Sequence, residues 1–408
     1  MHSGGTHSKN QRVIIVGAGV IGMATAYALA RKGRQIEVID SEDGPGQGAS
    51  FANGAQLSYN YTDALASAAI WRNFPKLLLR REDAFRLHLR PTFEHVHWLL
   101  KFLGESNDRR FLDNTGEVLK LAAESKQAME ALAHEHDLEF GLQTAGKIHL
   151  HYSEAGFDRA RSLIALKKKY GGAQKVLPPD EAISLEPALE YQRDHLAGAI
   201  YSPEDAVGDA RKFCAGMMAL LQNEYGVEFR LGERVRSLHL DNGPARLTLC
   251  SGEERQAAMI AICAGHASSA LLHKHGIRLP IQPMKGYSFD IRSGNQSPKI
   301  SITDSKRRIV FTNMGDRVRI AGLADLGDAS HDVDPDRMQC LVQSAKMSLP
   351  DAGDYETADN FWAGHRPMTP NSQPIISRPR QNLAINAGHG MLGWTLAMGA
   401  ANRLAALV

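Results

Sequence analysis

The chain has 408 residues, a formal net charge of +2 with histidine neutral, and 43% apolar against 23% charged residues. That length supports two domains with cores of their own, and the near-neutral balance excludes the basic excess on which nucleic-acid binding relies. The four cysteines (Cys214, Cys250, Cys263 and Cys340) form no CxxC pair, residues 1–10 lack an apolar leader core, and no run reaches the ~20 apolar residues of a spanning helix. The expectation is a reduced, cytoplasmic protein.

In chain order, Arg12 to Val16 is a short β-branched run, read as a buried strand. A glycine turn, Gly17 to Gly22, leads into a helix over roughly Ile21 to Arg31 that ends at Gly33. A second run, Ile36 to Ile39, ends in Asp40, which completes a strand–helix–strand unit with a right-handed parallel crossover. Residues 62–140 read as mostly helical. Residues 143–151 and 280–326 alternate like strands. Asp209 is placed to cap a helix carrying Phe213, Met217, Leu220 and Leu221 on one face. Strands near 227–230 and 246–250 and the apolar run Ala257 to Cys263 follow. The chain then returns to a strand at Leu383 to Asn386, a glycine turn, and a helix over Thr395 to Leu407. The two styles interleave, which predicts a nucleotide-binding domain made of separated segments with a strand-rich domain inserted.

Gly17, Gly19 and Gly22 form GxGxxG between the first strand and its helix, flanked by Val16, Val20 and Ile21. The first glycine makes the turn, the second lets a pyrophosphate approach the backbone, and the third allows close helix–sheet packing. Asp40 stands where a carboxylate accepts from ribose hydroxyls, and its charge disfavours a 2′-phosphate. There is no second GxGxxG unit. The segment holding Ser50, Asn53, Ala55 and Gln56 follows soon after. Near the end, Gly388-His389-Gly390-Met391-Leu392-Gly393-Trp394-Thr395 leads into a helix whose N-terminus could stabilise the anion of a reduced flavin. These features favour FAD over NAD. Metal ligation is not expected: no histidines stand in HxxxH or HExxH spacing, and the pairs His134/His136 and His149/His151, lacking a third ligand nearby, read as surface or strand residues.

The pattern resembles the FAD-dependent amine oxidoreductases of the D-amino-acid oxidase fold, in particular the bacterial D-amino-acid dehydrogenase small-subunit type. The likeness rests on the N-terminal fingerprint with Asp40, on Ala52 to Gln56, on Pro283-Met284-Lys285-Gly286-Tyr287-Ser288, and on Phe361 to Pro370 together with Gly388 to Thr395. It implies an α/β chain: a Rossmann-like FAD-binding domain from 1–60, 196–270 and 360–408, and an inserted α+β substrate domain with a mainly antiparallel sheet from 61–195 and 271–359. It implies non-covalent FAD, since no cysteine lies between Phe361 and Val408. Val235 matches a backbone contact to adenine, and Ala264 and Gly265 match a turn close to the flavin. Arg366 matches the arginine that holds a substrate carboxylate. Gly390 and Met391 match a carbonyl that accepts from the substrate amine, and Tyr61 and Tyr287 match pocket tyrosines. Lys285 reads equally as a cation beside the flavin or as a solvated strand lysine.

The implied reaction is hydride transfer from the alpha carbon of a small amino acid, a D-amino acid in the first reading, to the flavin. The imino acid then hydrolyses to a keto acid and ammonia. A quinone or other carrier is the expected electron acceptor. An oxygen-using glycine or sarcosine oxidase, a D-proline or hydroxyproline dehydrogenase, and a non-catalytic flavin-binding subunit stay open as alternatives. Peripheral contact with the inner face of the cell membrane is a further expectation. It rests on Trp71, Phe74, Leu77, Leu78, Leu79, Trp98 and Phe102 interspersed with Arg72, Lys76, Arg80, Arg81, Arg86 and Arg90.

Overall fold

The computed structural model describes residues 12–68, 71, 84–241 and 243–408. The β-branched run Arg12–Val16 does form the buried strand expected of it. It lies at the middle of a six-stranded sheet, between Gln35–Ile39 and Met259–Ile262. Leu383–Ala387 and Glu228–Arg230 extend this sheet in parallel, and Ile375–Arg380 closes one edge antiparallel. The helix Val20–Ala30 crosses over between the first two strands and packs on the C-terminal helix Gly393–Leu407 and on Ala210–Tyr225. Asp209 caps that last helix, accepting from the Arg211 and Lys212 amides. On the other side of the sheet a three-stranded antiparallel layer, Val235–His239, Ala245–Leu249 and Glu254–Ala257, buries Leu238, Leu247 and Leu249 against Ile14, Ile260 and Ile385. Glu37, fully buried, draws Arg12 and Arg255 to 3.1 and 2.8 Å, which ties this layer to the sheet.

The second sheet is larger and mainly antiparallel. Its order is Asp354–Met368, Gln282–Arg292, Arg317–Leu326, Ile309–Asn313, Ser301–Asp304, Lys147–His151, Gly198–Ser202 and Lys175–Leu177, with Phe85–Leu87 paired to Arg317–Leu326. The helix Pro335–Ser348 covers one face, burying Met338, Leu341 and Ala345 against Phe289, Phe311 and Ile320. The observed architecture is the expected α/β one: a Rossmann-like parallel sheet with an interleaved, mainly antiparallel second sheet. Two segments fall elsewhere than expected. Strand Gly198–Ser202 pairs with Lys147–His151, and Asp354–Met368 runs unbroken through residue 360, so both belong to the larger sheet. Backbone pairing decides this, and pairing is invisible in composition.

Residues 62–140 supply the helices Phe93–Glu105 and Asp108–Glu135. Of the stretch expected to touch a membrane, Arg72, Phe74, Lys76, Leu77, Leu78, Leu79, Arg80 and Arg81 lie outside the described residues. Trp98 and Phe102 do not face outward: both are buried, and the Trp98 indole N–H donates to the Met368 carbonyl at 2.9 Å. The helix instead exposes Phe93, Val96 and Leu100, with Leu89 just before it. Among the described residues no helix is long and apolar enough to cross a membrane.

Candidate active site

The two sheets enclose a cavity of about 1260 Å³. At one end it is lined by Asp40, Glu42, Glu233 and Val235, and in the middle by Val16, Gly17, Gly19, Val20, Ile21 and Ser50. Further along come Asn53, Ala55, Gln56, Ala264 and Gly265, then Gly390 to Thr395, Tyr61 and Arg366. Of the residues singled out in the sequence, Gly22 and Lys285 do not line it.

The glycines behave as their spacing demands. Gly17 has φ +115°, and a Cβ there would stand 2.5 Å from the Cys263 carbonyl oxygen. At Gly22 a Cβ would meet the Gly17 carbonyl oxygen at 1.8 Å, so the third glycine serves helix–sheet packing. Gly19 faces the cavity, with the Ser50 hydroxyl 3.4 Å from its would-be Cβ. The Asp40 carboxylate accepts from the Ala18 amide at 2.5 Å and from the Glu42 amide at 2.9 Å, which fixes it at the strand end. Two helices start at this cavity, Val20–Ala30 and Gly393–Leu407. Neither has an acidic side chain in its first turn, and their cap residues, Gly19 and Leu392, offer no side-chain acceptor. Their positive dipole ends, with first-turn amides of which Ser50 takes only that of Val20, are anion sites. A long cavity with a sterically required glycine turn and two such helix starts fits FAD.

The loop before the first sheet crossing is held from both sides. Ser50 accepts from the Val20 amide, Asn53 from the Ala55 amide, and the Gln56 side chain donates to Ser301 in the larger sheet. Ala55 takes a left-handed φ of +55°, a strain of the sort that collects at functional turns. The polar groups of the Trp394 and Thr395 side chains are engaged by the protein. Trp394 packs on Phe140 and Phe213 and donates to the Gly208 carbonyl, and Thr395 accepts from the Ser58 amide. Their contribution to the site is backbone. Burial holds His389 neutral, with its pKa lowered to about 3, so it is a turn residue and not a base.

Arg366 comes from the long strand Asp354–Met368. Its guanidinium donates to the Leu323 carbonyl at 2.9 Å, and Leu323 is itself held at φ +54°. Burial lowers the Arg366 pKa to about 10, partly opposed by Asp325, so the group stays cationic at neutral pH. Asp325 is already engaged by Arg337 through two bonds of 3.1 and 2.6 Å. Tyr287 belongs to that same network: its hydroxyl donates to Asp325 at 3.0 Å and its ring is 1% exposed. Tyr287 lines the cavity with its hydroxyl committed to Asp325. Lys285 fits neither of its two readings, being buried and bonded to Ser330 at 2.8 Å and Asp328 at 3.3 Å. Tyr61 stacks on His149 at 4.0 Å, with the Lys147 and Lys167 ammoniums 5.0 and 4.6 Å from its ring. The exposed Met391 sits in the Gly390–Leu392 turn at the mouth.

The sequence reading missed the far wall. Lys147 and His149 line the cavity, and burial lowers the Lys147 pKa to about 8 and keeps His149 neutral. The signal was there: Lys147, His149 and His151 alternate with the core residues Ile148 and Leu150, which puts three polar side chains on one face of a buried strand. Cys263 also lines the cavity, but burial pushes its thiol up to about 12 and removes its nucleophilic form.

A family model described as DAO, FAD dependent oxidoreductase, matches residues 12–407. A D-amino acid dehydrogenase 2 of Ralstonia nicotianae is 37% identical over 410 residues, covering 97% of this chain and 96% of that protein. A D-amino acid dehydrogenase of Paramagnetospirillum magneticum is 35% identical, over 97% of this chain and 94% of that protein. Among solved structures, L-proline dehydrogenase from P. horikoshii superposes with a TM-score of 0.76 at 16% identity, over 98% of this chain and 93% of that one. Glycine oxidase from Geobacillus kaustophilus does so with a TM-score of 0.73 at 22% identity, over 96% and 93%. The chain belongs to the DAO family of FAD-dependent oxidoreductases, and its cofactor is FAD.

Proposed function

We propose that this chain oxidatively deaminates a small amino acid, a D-amino acid by preference, and passes the electrons to a quinone or another carrier. One observation carries the reading. Arg366 holds a cationic guanidinium at the cavity wall, bonded to a single carbonyl, while the nearby Asp325 is engaged by Arg337. A planar fork in that setting grips a carboxylate through two parallel bonds and so fixes its orientation. The names of the two dehydrogenases at 35–37% identity support an amino acid as the substrate.

In this reading Asp40 and the Val235 backbone hold the adenosine end, while Gly17, Gly19, Val20, Ile21 and Ser50 cradle the pyrophosphate. Asn53, Ala55, Gln56, Ala264, Gly265 and the backbone of Gly390, Leu392, Gly393, Trp394 and Thr395 line the isoalloxazine; Val16 and Gly22 set the close packing beneath. FAD when bound supplies the two-electron acceptor. The chain's own part is orientation: Arg366 anchors the carboxylate, the carbonyls at Gly390 and Met391 accept from the amine, and Tyr61 closes the pocket over its far side. The FAD is held without a covalent bond, since the one cysteine on the cavity carries a neutral, buried thiol. The exposed apolar row Leu89, Phe93, Val96 and Leu100, beside the exposed Arg90 and Lys101, is the surface that would rest on anionic lipid and meet a membrane quinone.

Arg366→Ala removes one partner of a buried pair, a loss of about 3–5 kcal/mol, so kcat/KM should fall by about two to three and a half orders of magnitude with FAD content unchanged. Arg366→Lys should recover only part. Activity of the alanine variant within a few-fold of wild type would place the carboxylate elsewhere. Gly286→Ala tests the same grip from beneath: a Cβ there would stand 2.3–2.7 Å from the guanidinium atoms and must displace them. Steady-state kinetics should show a raised KM, while the flavin spectrum stays that of wild type. Acid precipitation should release all the yellow cofactor into the supernatant, and flavin remaining with the protein pellet would refute non-covalent binding. Co-sedimentation with anionic vesicles at low salt should be lost in a Phe93→Ser/Leu100→Ser variant; equal sedimentation of both proteins would remove the membrane contact.

A further inference from the structure

Three histidines far apart in the chain meet at the rim of the cavity. His266 lies in the turn Gly265–Ala267 after strand Met259–Ile262 of the parallel sheet. His331 is on the segment following strand Arg317–Leu326, and His365 is on the long strand Asp354–Met368. One ring nitrogen of each lies within 4.8 Å of the other two. Three points so spaced always share a centre no more than 4.8/√3, about 2.8 Å, from each. Zinc–imidazole bonds are about 2.0–2.1 Å, so an inward shift of about 0.7 Å per ring completes three bonds.

A second observation points the same way. His365 is only 6% exposed, and its Nε2 is buried without a hydrogen-bond partner, while the Ser330 backbone is bonded to the same ring. A ring held by backbone through one nitrogen and open at the other is the arrangement of a metal-ligating histidine.

We propose that His266, His331 and His365 bind one divalent transition-metal ion of the zinc class, leaving a fourth position open to water or an incoming ligand. Lys285, a cation that acts on His365 electrostatically, is bonded to Asp328, whose carboxylate offsets its charge toward an ion. Because His266 follows a strand of the parallel sheet and His365 lies in the larger one, the ion ties the two sheets together at the cavity rim. The reading departs from the expectation of no metal ligation, and it does not depend on the identity of the substrate.

The test uses the untagged, FAD-loaded enzyme, stripped with chelator and dialysed against zinc chloride. Expected are one zinc per chain by elemental analysis and a raised melting temperature, since the ion binds the folded state alone. His331→Ala, at an exposed position where the fold is safe, and His266→Ala should each weaken zinc binding by more than about tenfold and abolish the thermal shift. An unchanged flavin spectrum in both variants certifies the fold. Failure of the wild-type holoenzyme to retain zinc, or equal retention by the variants, would overturn the proposal.

Discussion

The constraint on which the rest of this structure depends is a concentration of positive electrostatics in one cavity. Two helices begin there without an acidic first turn and with cap residues that offer no side-chain acceptor, only the Val20 amide being met by Ser50, and a guanidinium enters from the opposite sheet. Each helix start carries roughly half a positive charge on amides that a folded chain normally satisfies by capping. A protein can sustain that arrangement only where anionic groups are the intended partners. In the proposed reading, a pyrophosphate, the pyrimidine side of a reduced flavin and a substrate carboxylate would answer the three sources in turn.

Holding the sources in register requires two very different frameworks. The parallel sheet delivers its loops to one edge, because every strand of a right-handed crossover ends on the same side. The larger sheet delivers Arg366 through an antiparallel pairing in which Gly286 lies opposite Gly364. A side chain at either glycine would force a neighbour to move: a Cβ at Gly286 would strike the Arg366 guanidinium, and one at Gly364 would stand about 2.0 Å from the Trp362 indole. The absent side chain at Gly286 thus makes the floor on which Arg366 lies, and that at Gly364 makes room for Trp362.

Behind that floor sits a buried polar network. Asp325 takes two bonds from Arg337 and one from Tyr287, and the Arg319–Asp290 pair repeats the two-point geometry at 2.8 and 3.0 Å further along the same pair of strands. Buried charges persist when paired and hydrogen-bonded, and their directional bonds restrict how the sheet can slip. Because Arg337 engages Asp325, Arg366 keeps its donors for the cavity. In the proposed reading the supporting pair is therefore part of how the site would stay open to a carboxylate.

How much of this was legible differs by range. The glycine fingerprint, the strand–helix–strand unit and the Asp209 cap were readable because each is written in neighbouring residues whose spacing fixes local geometry. The resemblance placed Arg366 and the terminal glycine turn correctly on the cavity. It could not say that Tyr287 turns its hydroxyl to Asp325, that Lys285 is buried against Asp328, or that Trp98 and Phe102 point inward. It also gave no sign of Lys147 and His149 on the far wall, or of His266, His331 and His365 meeting across 99 residues of chain. The sequence by itself determined the cofactor class and the local turns that receive it, since those depend on short-range backbone sterics. Only the tertiary structure decided which side chains face the cavity, because that depends on strand pairing and on which buried partner claims each polar group first.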